Sequence, residues 1–207
     1  MSVDLSTADA SGRTQQKCEA ILTAAAQAFL TVGFERANMD EIAAAADVSK
    51  RTIYHHYESK EGLFEAVVAA LVGRITREGE VPWDSARSID AQVLDIAHRK
   101  LALFEDRHFT GLARMVFGTF AAHPDLAARA MRALQQCDYG IVGWIEAAHR
   151  DRALTGVDAH AADQLFGTMV MSTLVWPMLS GQAVEAATLR SQIEAIARMF
   201  AAHLAGS

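Results

Sequence analysis

Apolar residues recur at every third or fourth position along almost the whole chain, in stretches rich in alanine. This spacing places them on one face of an α-helix, which has 3.6 residues per turn. No run alternates apolar and polar residues, as a half-buried β-strand would. The pattern therefore predicts an all-α fold of about nine helices.

The composition indicates a globular protein. Of the 207 residues, 51% are hydrophobic and 21% are charged, which is far from the profile of a disordered chain. Cys18 and Cys137 lie far apart, and two cysteines cannot form an all-cysteine zinc site or a disulfide framework. The amino-terminal segment lacks the apolar run of a secretory signal. We therefore expect a cytoplasmic protein.

The distribution of charge sets two further expectations. Residues 164–184 carry no charge and are long enough to span a bilayer, but polar residues and Pro177 interrupt them. A buried helix is the better interpretation, and we expect no membrane segment. The net charge of −6 does not exclude a nucleic-acid partner, because charges more than about 8 Å apart are largely screened at cellular ionic strength.

Capping residues predict four helices in the first part of the chain. The first covers about residues 14–32 and ends at Gly33, which suits the left-handed conformation that closes many helices. The next three begin after polar N-cap residues, namely Asn38, Ser49 and Ser59.

A loop at residues 79–88, which contains Pro82, marks a candidate domain edge. Beyond it the same periodicity predicts five longer helices. Their expected bounds are 88–105, 109–121, 124–150, 158–179 and 187–204.

Residues 38–57 have the layout of a helix-turn-helix, with two short capped helices joined by a tight turn at 47–49. Projection of the second helix places Ile53 and Tyr57 on one face and Arg51 and His55 on the other. This helix carries two positive charges and no negative one, beside an amino terminus that favours phosphate. The pattern indicates a helix that reads the major groove of DNA. The alternative is a solvated helical hairpin without that role.

Residues 38–67 read NMDEIAAAADVSKRTIYHHYESKEGLFEAV. The segment has a turn that ends in Val-Ser, then Thr-hydrophobe-Tyr, then a histidine and an aromatic residue, then Ser-Lys-x-x-Leu. This pattern resembles the DNA-binding domain of TetR-family transcriptional regulators, with His56 at the family's usual histidine position. The resemblance covers roughly residues 13–72 and implies a division of the chain into four parts. These are a flexible tail at 1–12, the helix-turn-helix domain at 13–58, a connecting helix at 59–78, and a domain for effector binding and dimerisation at 79–207.

The resemblance also implies which residues contact DNA. Thr52 and the Lys50-Arg51 pair would read bases or phosphates, Tyr54 would donate its hydroxyl to a phosphate, and Lys60 would clamp the backbone. His55 faces outward and is a candidate for base edges, whereas His56 is either a phosphate contact or a histidine bonded in the core. The full candidate set is Asn38, Ser49, Lys50, Arg51, Thr52, Tyr54, His55, His56 and Lys60.

Two positions depart from the family pattern. Asp47 stands where the family usually has glycine, and Asp tolerates the left-handed conformation better than most residues. Tyr57 replaces the more usual phenylalanine, and its hydroxyl needs a partner or water. Neither change argues against DNA binding. The adjacent histidines His55 and His56 diverge by about 100° around the helix and make no metal site.

The resemblance also implies a homodimer that binds a palindromic operator in double-stranded DNA. The last two long helices of each subunit would form the contact between the subunits. Residues 111–127 weakly resemble the carboxy-terminal domain of an AefR-like subgroup. We expect a pocket for a small apolar effector between helices, although core or dimer interface is the alternative for each candidate residue. The candidates are His98, Phe104, Met115, Phe117, Gln135, Tyr139, Trp144, Phe166, Met169 and Trp176.

The sequence shows no recognisable catalytic motif. We therefore predict a protein that is not an enzyme and needs no cofactor or metal. The predicted function is transcriptional regulation, most simply as a repressor that an effector releases from DNA. The alternative is a helical ligand-binding or scaffolding protein without sequence-specific DNA binding.

Overall fold

The computed structural model describes residues 6–135, 140–180 and 185–206, and the side chains of residues 14–130, 140–180 and 185–206. Within these ranges the chain forms ten α-helices and no strand, so the all-α prediction is confirmed. In chain order they are α1 (Ser6–Arg36), α2 (Met39–Ala45), α3 (Lys50–Tyr57), α4 (Lys60–Gly79), α5 (Ile89–Glu105), α6 (Arg107–Ala122), α7 (Pro124–Gln135), α8 (Val142–Arg150), α9 (Ala159–Ser180) and α10 (Ala186–Ala205).

The helices fall into two compact units. Unit 1 combines the chain up to Ala70 with Gly111–Ala133, and unit 2 combines Leu71–Thr110 with the chain from Leu134 onward. Unit 1 therefore contains α1 to α3, the first half of α4, and most of α6 and α7. Helix α1 includes residues 6–12, which lie in the segment predicted from sequence as a tail.

Three phenylalanine rings form the centre of unit 1. The ring of Phe29 lies 5.7 Å from that of Phe34 and 5.6 Å from that of Phe64, and the last two rings are 5.0 Å apart. All three are buried, in tilted or edge-on arrangements that aromatic pairs prefer. Phe120 of α6 adds an edge-on contact to Phe64 at 6.3 Å. The cluster thus holds α1, α4 and α6 together.

The predicted caps are present at the helix starts of unit 1. Helix α1 is interrupted at Gly33, whose φ of 81° is favourable only for glycine. Asn38 accepts a hydrogen bond from the Asp40 amide at 2.8 Å, and Ser59 accepts one from the Gly62 amide at 3.0 Å. These side chains satisfy amide groups that a helix leaves without partners at its first turn.

The turns on either side of α3 are closely constrained. Asp47 has a φ of 53°, so it adopts the left-handed conformation expected for the turn before α3. Glu58, directly after α3, has a φ of 59°. At the start of α4, a Cβ added to Gly62 would collide with the carbonyl oxygen of Tyr57. Only glycine therefore fits where α4 passes the end of α3.

Unit 2 is a helical bundle with an apolar core from α5, α8, α9 and α10. Helix α10 packs along α5, and α9 packs against α8 and α10. Ile145, Phe166 and Phe200 are among its fully buried side chains, and the last two rings are 4.8 Å apart. No helix in the described part of the chain is both long enough and apolar enough for a membrane span.

A buried glutamine fixes the loop before α5. Gln92 accepts hydrogen bonds from the Asp84 amide and from the Trp144 indole N–H, at 2.9 and 3.1 Å. Its own amide donates to the carbonyl oxygens of Asp84 and Arg87. Because Gln92 is fully buried, these bonds offset the cost of removing its amide from water.

Residues 124–150 do not form the single helix predicted from their periodicity. Helix α7 ends at Gln135 and α8 begins at Val142. Gly140 has a φ of 96°, and a Cβ at this position would lie 2.5 Å from the Thr76 carbonyl oxygen. Periodicity continues across this break because α7 and α8 are both amphipathic, so the spacing alone gave no sign of it.

The left-handed turn before α3 yields a stability prediction. Asp47→Gly should raise the free energy of unfolding by up to about 1 kcal/mol, because glycine adopts positive φ without a Cβ penalty. Ala44→Gly, three residues earlier on the exposed side of α2, is the matched control and should lower it by about 1 kcal/mol. Thermal and urea unfolding at one protein concentration measure both. Equal destabilisation by the two glycines would contradict the prediction.

Candidate nucleic-acid interface

Helix α3 has a buried side and an exposed side. Ile53 is 0% exposed and anchors the helix in unit 1. On the other side Lys50, Arg51 and His55 are exposed, and the Tyr54 side chain is 40% exposed. The exposed side chains are hydrogen-bonding groups, as a helix that contacts base edges and phosphates requires.

The amino terminus of α3 is organised by Ser49. Its Oγ accepts a hydrogen bond from the Thr52 amide at 3.0 Å and lies 2.8 Å from the Thr52 hydroxyl. The Thr52 side chain is thereby held in one orientation, and it is half-buried. A hydroxyl has one proton and two lone pairs, so Thr52 retains hydrogen-bonding capacity for another group.

Lys50 is paired within the protein. Its Nζ donates to Oδ2 of Asp40 at 2.9 Å, across the turn between α2 and α3. The hydrogen bond with Asp40 raises the pKa of Lys50 above its ordinary value. Lys50 is therefore charged at neutral pH, and that charge already has a carboxylate partner.

Lys60 also has partners inside unit 1. Its ammonium donates to the Glu35 carbonyl oxygen at 2.8 Å and lies 4.9 Å from the centre of the Phe34 ring. These contacts join the start of α4 to the end of α1. Lysine has three N–H donors, so a phosphate contact by Lys60 requires that the remaining ones point outward.

His56 and Tyr57 contact a cysteine of α1. Nδ1 of His56 lies 3.9 Å from Sγ of Cys18, and His56 is half-buried. Burial, and to a smaller extent the Cys18 thiol, raise the pKa of Tyr57 to about 12. The Cys18 thiol thus lies close to His56 and raises the pKa of the neighbouring Tyr57 hydroxyl.

The described candidate effector residues are divided between the two units. Trp144 and Phe166 lie in the core of unit 2, where Phe104 also packs. His98, half-buried on α5, donates from Nε2 to Glu194 of α10 at 3.2 Å. The remaining described candidates are the half-buried Met169, the exposed Trp176, and two residues of α6 in unit 1, Met115 and Phe117. The Gln135 side chain and Tyr139 lie outside the described residues.

Two clefts in unit 2 contain candidate residues. One, of about 550 Å³, is lined by Trp83 and Trp144, whose rings meet edge-on at 5.2 Å, and by residues of α8 and the loop before α5. The other is an open groove of about 640 Å³ between α9 and α10, where Trp176 is 68% exposed.

Three contacts were not predicted from the sequence, two in the interface and one in unit 2. Asp40 pairs with Lys50 ten residues away, and opposite charges on the two sides of the turn were the available signal. The Cys18 contact with His56 spans 38 residues, and no local pattern indicates it. The role of Gln92 also depends on residues far apart in sequence.

The geometry of α2 and α3 defines a helix-turn-helix DNA-binding protein. The two helices are joined by a tight turn, and α3 has a capped start, a buried anchor in Ile53 and an exposed polar face. Residues 21–67 match the model of bacterial regulatory proteins of the tetR family. Residues 91–205 match the model of the AefR-like transcriptional repressor, C-terminal domain. The chain belongs to the TetR family, and it is a DNA-binding transcriptional regulator rather than an enzyme.

Individual relatives agree with this assignment. The structure of a TetR family regulator from Pseudomonas syringae pv. tomato is 33% identical and has a TM-score of 0.63, with 89% of this chain and 95% of that chain covered. The flavonoid-responsive regulator FrrA is 26% identical with a TM-score of 0.66, covering 91% and 97%. The transcriptional activator FasR of Mycolicibacterium smegmatis is 30% identical over 69% of this chain and 62% of its own length.

The environment of Tyr57 yields a pH prediction. The unfolded chain releases the phenol proton near pH 10, whereas the folded protein retains it to about pH 12. The stability that this group contributes is therefore present below pH 10 and is lost as the pH rises towards 12. The free energy of unfolding should fall more steeply over this range in the wild type than in Tyr57→Phe. Urea unfolding at each pH measures this, and parallel curves would contradict it.

Proposed function

We propose that the protein is a homodimeric repressor that binds a palindromic operator and releases it when a small apolar effector binds unit 2. The observation that carries the proposal is the exposed hydrogen-bonding face of α3 above the buried Ile53. The matching carboxy-terminal model is described as a repressor domain, which favours repression over activation. As the partner of bacterial chromosomal DNA, the protein acts in the cytoplasm.

Within α3 the side chains take different roles. Thr52 and His55 contact base edges, and Lys50, Arg51 and Tyr54 contact phosphates. Asn38 and Ser49 cap α2 and α3 and present the amide groups of those helix starts to the DNA backbone. His56 and Lys60 hold α3 and α4 in place through Cys18 and Glu35, and add phosphate contacts at the edge of the interface.

The dimer forms through α9 and α10. Leu165, Trp176 and Met199 are large apolar side chains with exposed fractions of 43%, 68% and 64%. They lie on the outward sides of these two helices, where a second copy would cover them. A two-fold dimer also places two copies of α3 on the half-sites of a palindrome.

Helix α4 transmits the effector signal. It is one continuous helix, and its residues up to Ala70 belong to unit 1 whereas those from Leu71 belong to unit 2. A shift of α4 caused by the effector would move the end of α3, because Gly62 packs directly on the Tyr57 carbonyl. The flavonoid response of FrrA supports an effector of aromatic, largely apolar character.

A mobility-shift titration on DNA that flanks its own gene, repeated at increasing salt, tests the proposal. We expect a sequence-specific shift that weakens steeply with salt, because phosphate contacts release bound counterions. A protein that shifts no genomic fragment would instead be a helical ligand-binding or scaffolding protein. A reporter gene behind the shifted fragment then separates repression from activation.

The proposed roles predict different effects of substitutions within α3. Tyr54→Phe should weaken binding by about tenfold per half-site on every sequence, since it removes one hydrogen bond to a charged phosphate. Thr52→Ala and His55→Ala should change the preferred bases at one position of each half-site. Affinity measured on a set of singly substituted operators distinguishes the two patterns. If Tyr54→Phe leaves the affinity for DNA unchanged, the proposed contact between Tyr54 and a phosphate is wrong.

The dimer surface predicts the effect of a charge on α9. Trp176→Glu should convert the dimer to a monomer, because a carboxylate buried between two copies would lose its hydration. Ala86→Glu adds the same charge at an exposed position of the loop before α5 and should leave the dimer intact. Sedimentation velocity measures the molar mass of both. A dimeric Trp176→Glu protein would exclude Trp176 from the interface.

A further inference from the structure

The DNA-facing side of the helix-turn-helix carries an internal ion pair. Lys50 is the first residue of α3, and its Nζ lies 2.9 Å from Oδ2 of Asp40 in the first turn of α2. Both side chains are exposed, at 45% and 64%, so DNA can reach either of them. Asp40 is therefore already paired with a cation that lies at the edge of the proposed interface.

The local charge makes this pairing consequential. Between Asn38 and Tyr57 there are three acidic residues, Asp40, Glu41 and Asp47, and only two cations, Lys50 and Arg51. Affinity for non-specific DNA comes almost entirely from cations that neutralise phosphates. Lys50 is paired with Asp40. Arg51 is the other cation of this segment, and among the described ion pairs it has no carboxylate partner.

We propose that Asp40 is a specificity determinant that weakens binding to non-operator DNA by competing with phosphate for Lys50. On DNA of random sequence, Lys50 exchanges its Asp40 carboxylate for a phosphate. This exchange adds little to the affinity for that DNA. On the operator, base contacts fix the register of α3, so Lys50 can donate to a phosphate with one N–H while another keeps its bond to Asp40. Asp40 thus lowers non-specific affinity more than specific affinity. This inference rests on the proposed DNA-binding role of α3.

Asp40 also has a local structural role, and the test must distinguish this role from competition with phosphate for Lys50. An acidic residue in the first turn of a helix is favoured by the helix dipole, and Asp40 and Glu41 both lie in the first turn of α2. Glu41 is exposed as well, but Asp40 is the residue that bonds Lys50. Glu41→Gln therefore removes the same charge from the same turn and leaves the ion pair, which makes it the matched control.

The experiment measures the affinity of the full-length protein for a duplex of unrelated sequence and for the selected operator, over a range of salt concentrations. Asp40→Asn should raise non-operator affinity by about twofold to fivefold per subunit, the usual size of an exposed ion pair. The dependence of log affinity on log salt should steepen by about 0.9 per subunit, as one more phosphate is neutralised. The ratio of operator to non-operator affinity should fall.

The pair itself is tested in a second background. In Lys50→Gln protein, the effect of Asp40→Asn should shrink to that of Glu41→Gln, because no cation remains to be released. Circular dichroism melting confirms that each variant is folded, and Asp40→Ser replaces any asparagine variant that is not.

The outcomes separate this inference from the proposed function. A wild-type protein that binds no DNA rejects both. A wild type that binds its operator, combined with Asp40→Asn and Glu41→Gln variants of equal effect, rejects only the role of Asp40. A gain from Asp40→Asn that persists in the Lys50→Gln background also rejects it, because the effect would then be general charge removal.

Discussion

The burial of Ile53 is the contact on which the DNA-reading surface depends. Helix α3 has eight residues, and a helix of this length is unstable in water without tertiary contacts. Ile53 supplies the apolar contact on one side, and the Ser49 cap closes the amino terminus. Because packing uses only that side, the opposite side remains free to carry groups chosen for DNA rather than for folding.

The features predicted correctly from the sequence are those that local chemistry decides. N-cap serines and asparagine, the positive φ at Gly33 and the left-handed turn at Asp47 follow from the preferences of single residues. A helix-turn-helix is a short continuous segment, so its pattern is readable without knowledge of the rest of the chain. The all-α class follows in the same way from periodicity.

The features that the sequence does not reveal arise between residues distant along the chain. Asp40 and Lys50 sit on different helices, and only the geometry of the turn brings their charges within hydrogen-bonding distance. Similarly, Trp144 and Trp176 have the same apolar character in sequence, yet one is 2% exposed and the other 68%. Periodicity distinguishes a buried face from a polar one, but a dimer face is apolar as well. Effector residues therefore cannot be separated from core and interface residues by sequence pattern alone.

Gly62 allows the outer surface of α3 to change without a change in the position of α3 relative to α4. The distance between the end of α3 and the start of α4 is set by a backbone contact, Gly62 against Tyr57, to which no DNA-facing side chain contributes. In the proposed DNA-binding role of α3, substitutions on its outer face would alter which bases are preferred while the backbone contact that positions the helix stays the same. Single changes at the surface would then give new target sequences without disturbing the packing of α3 against α4.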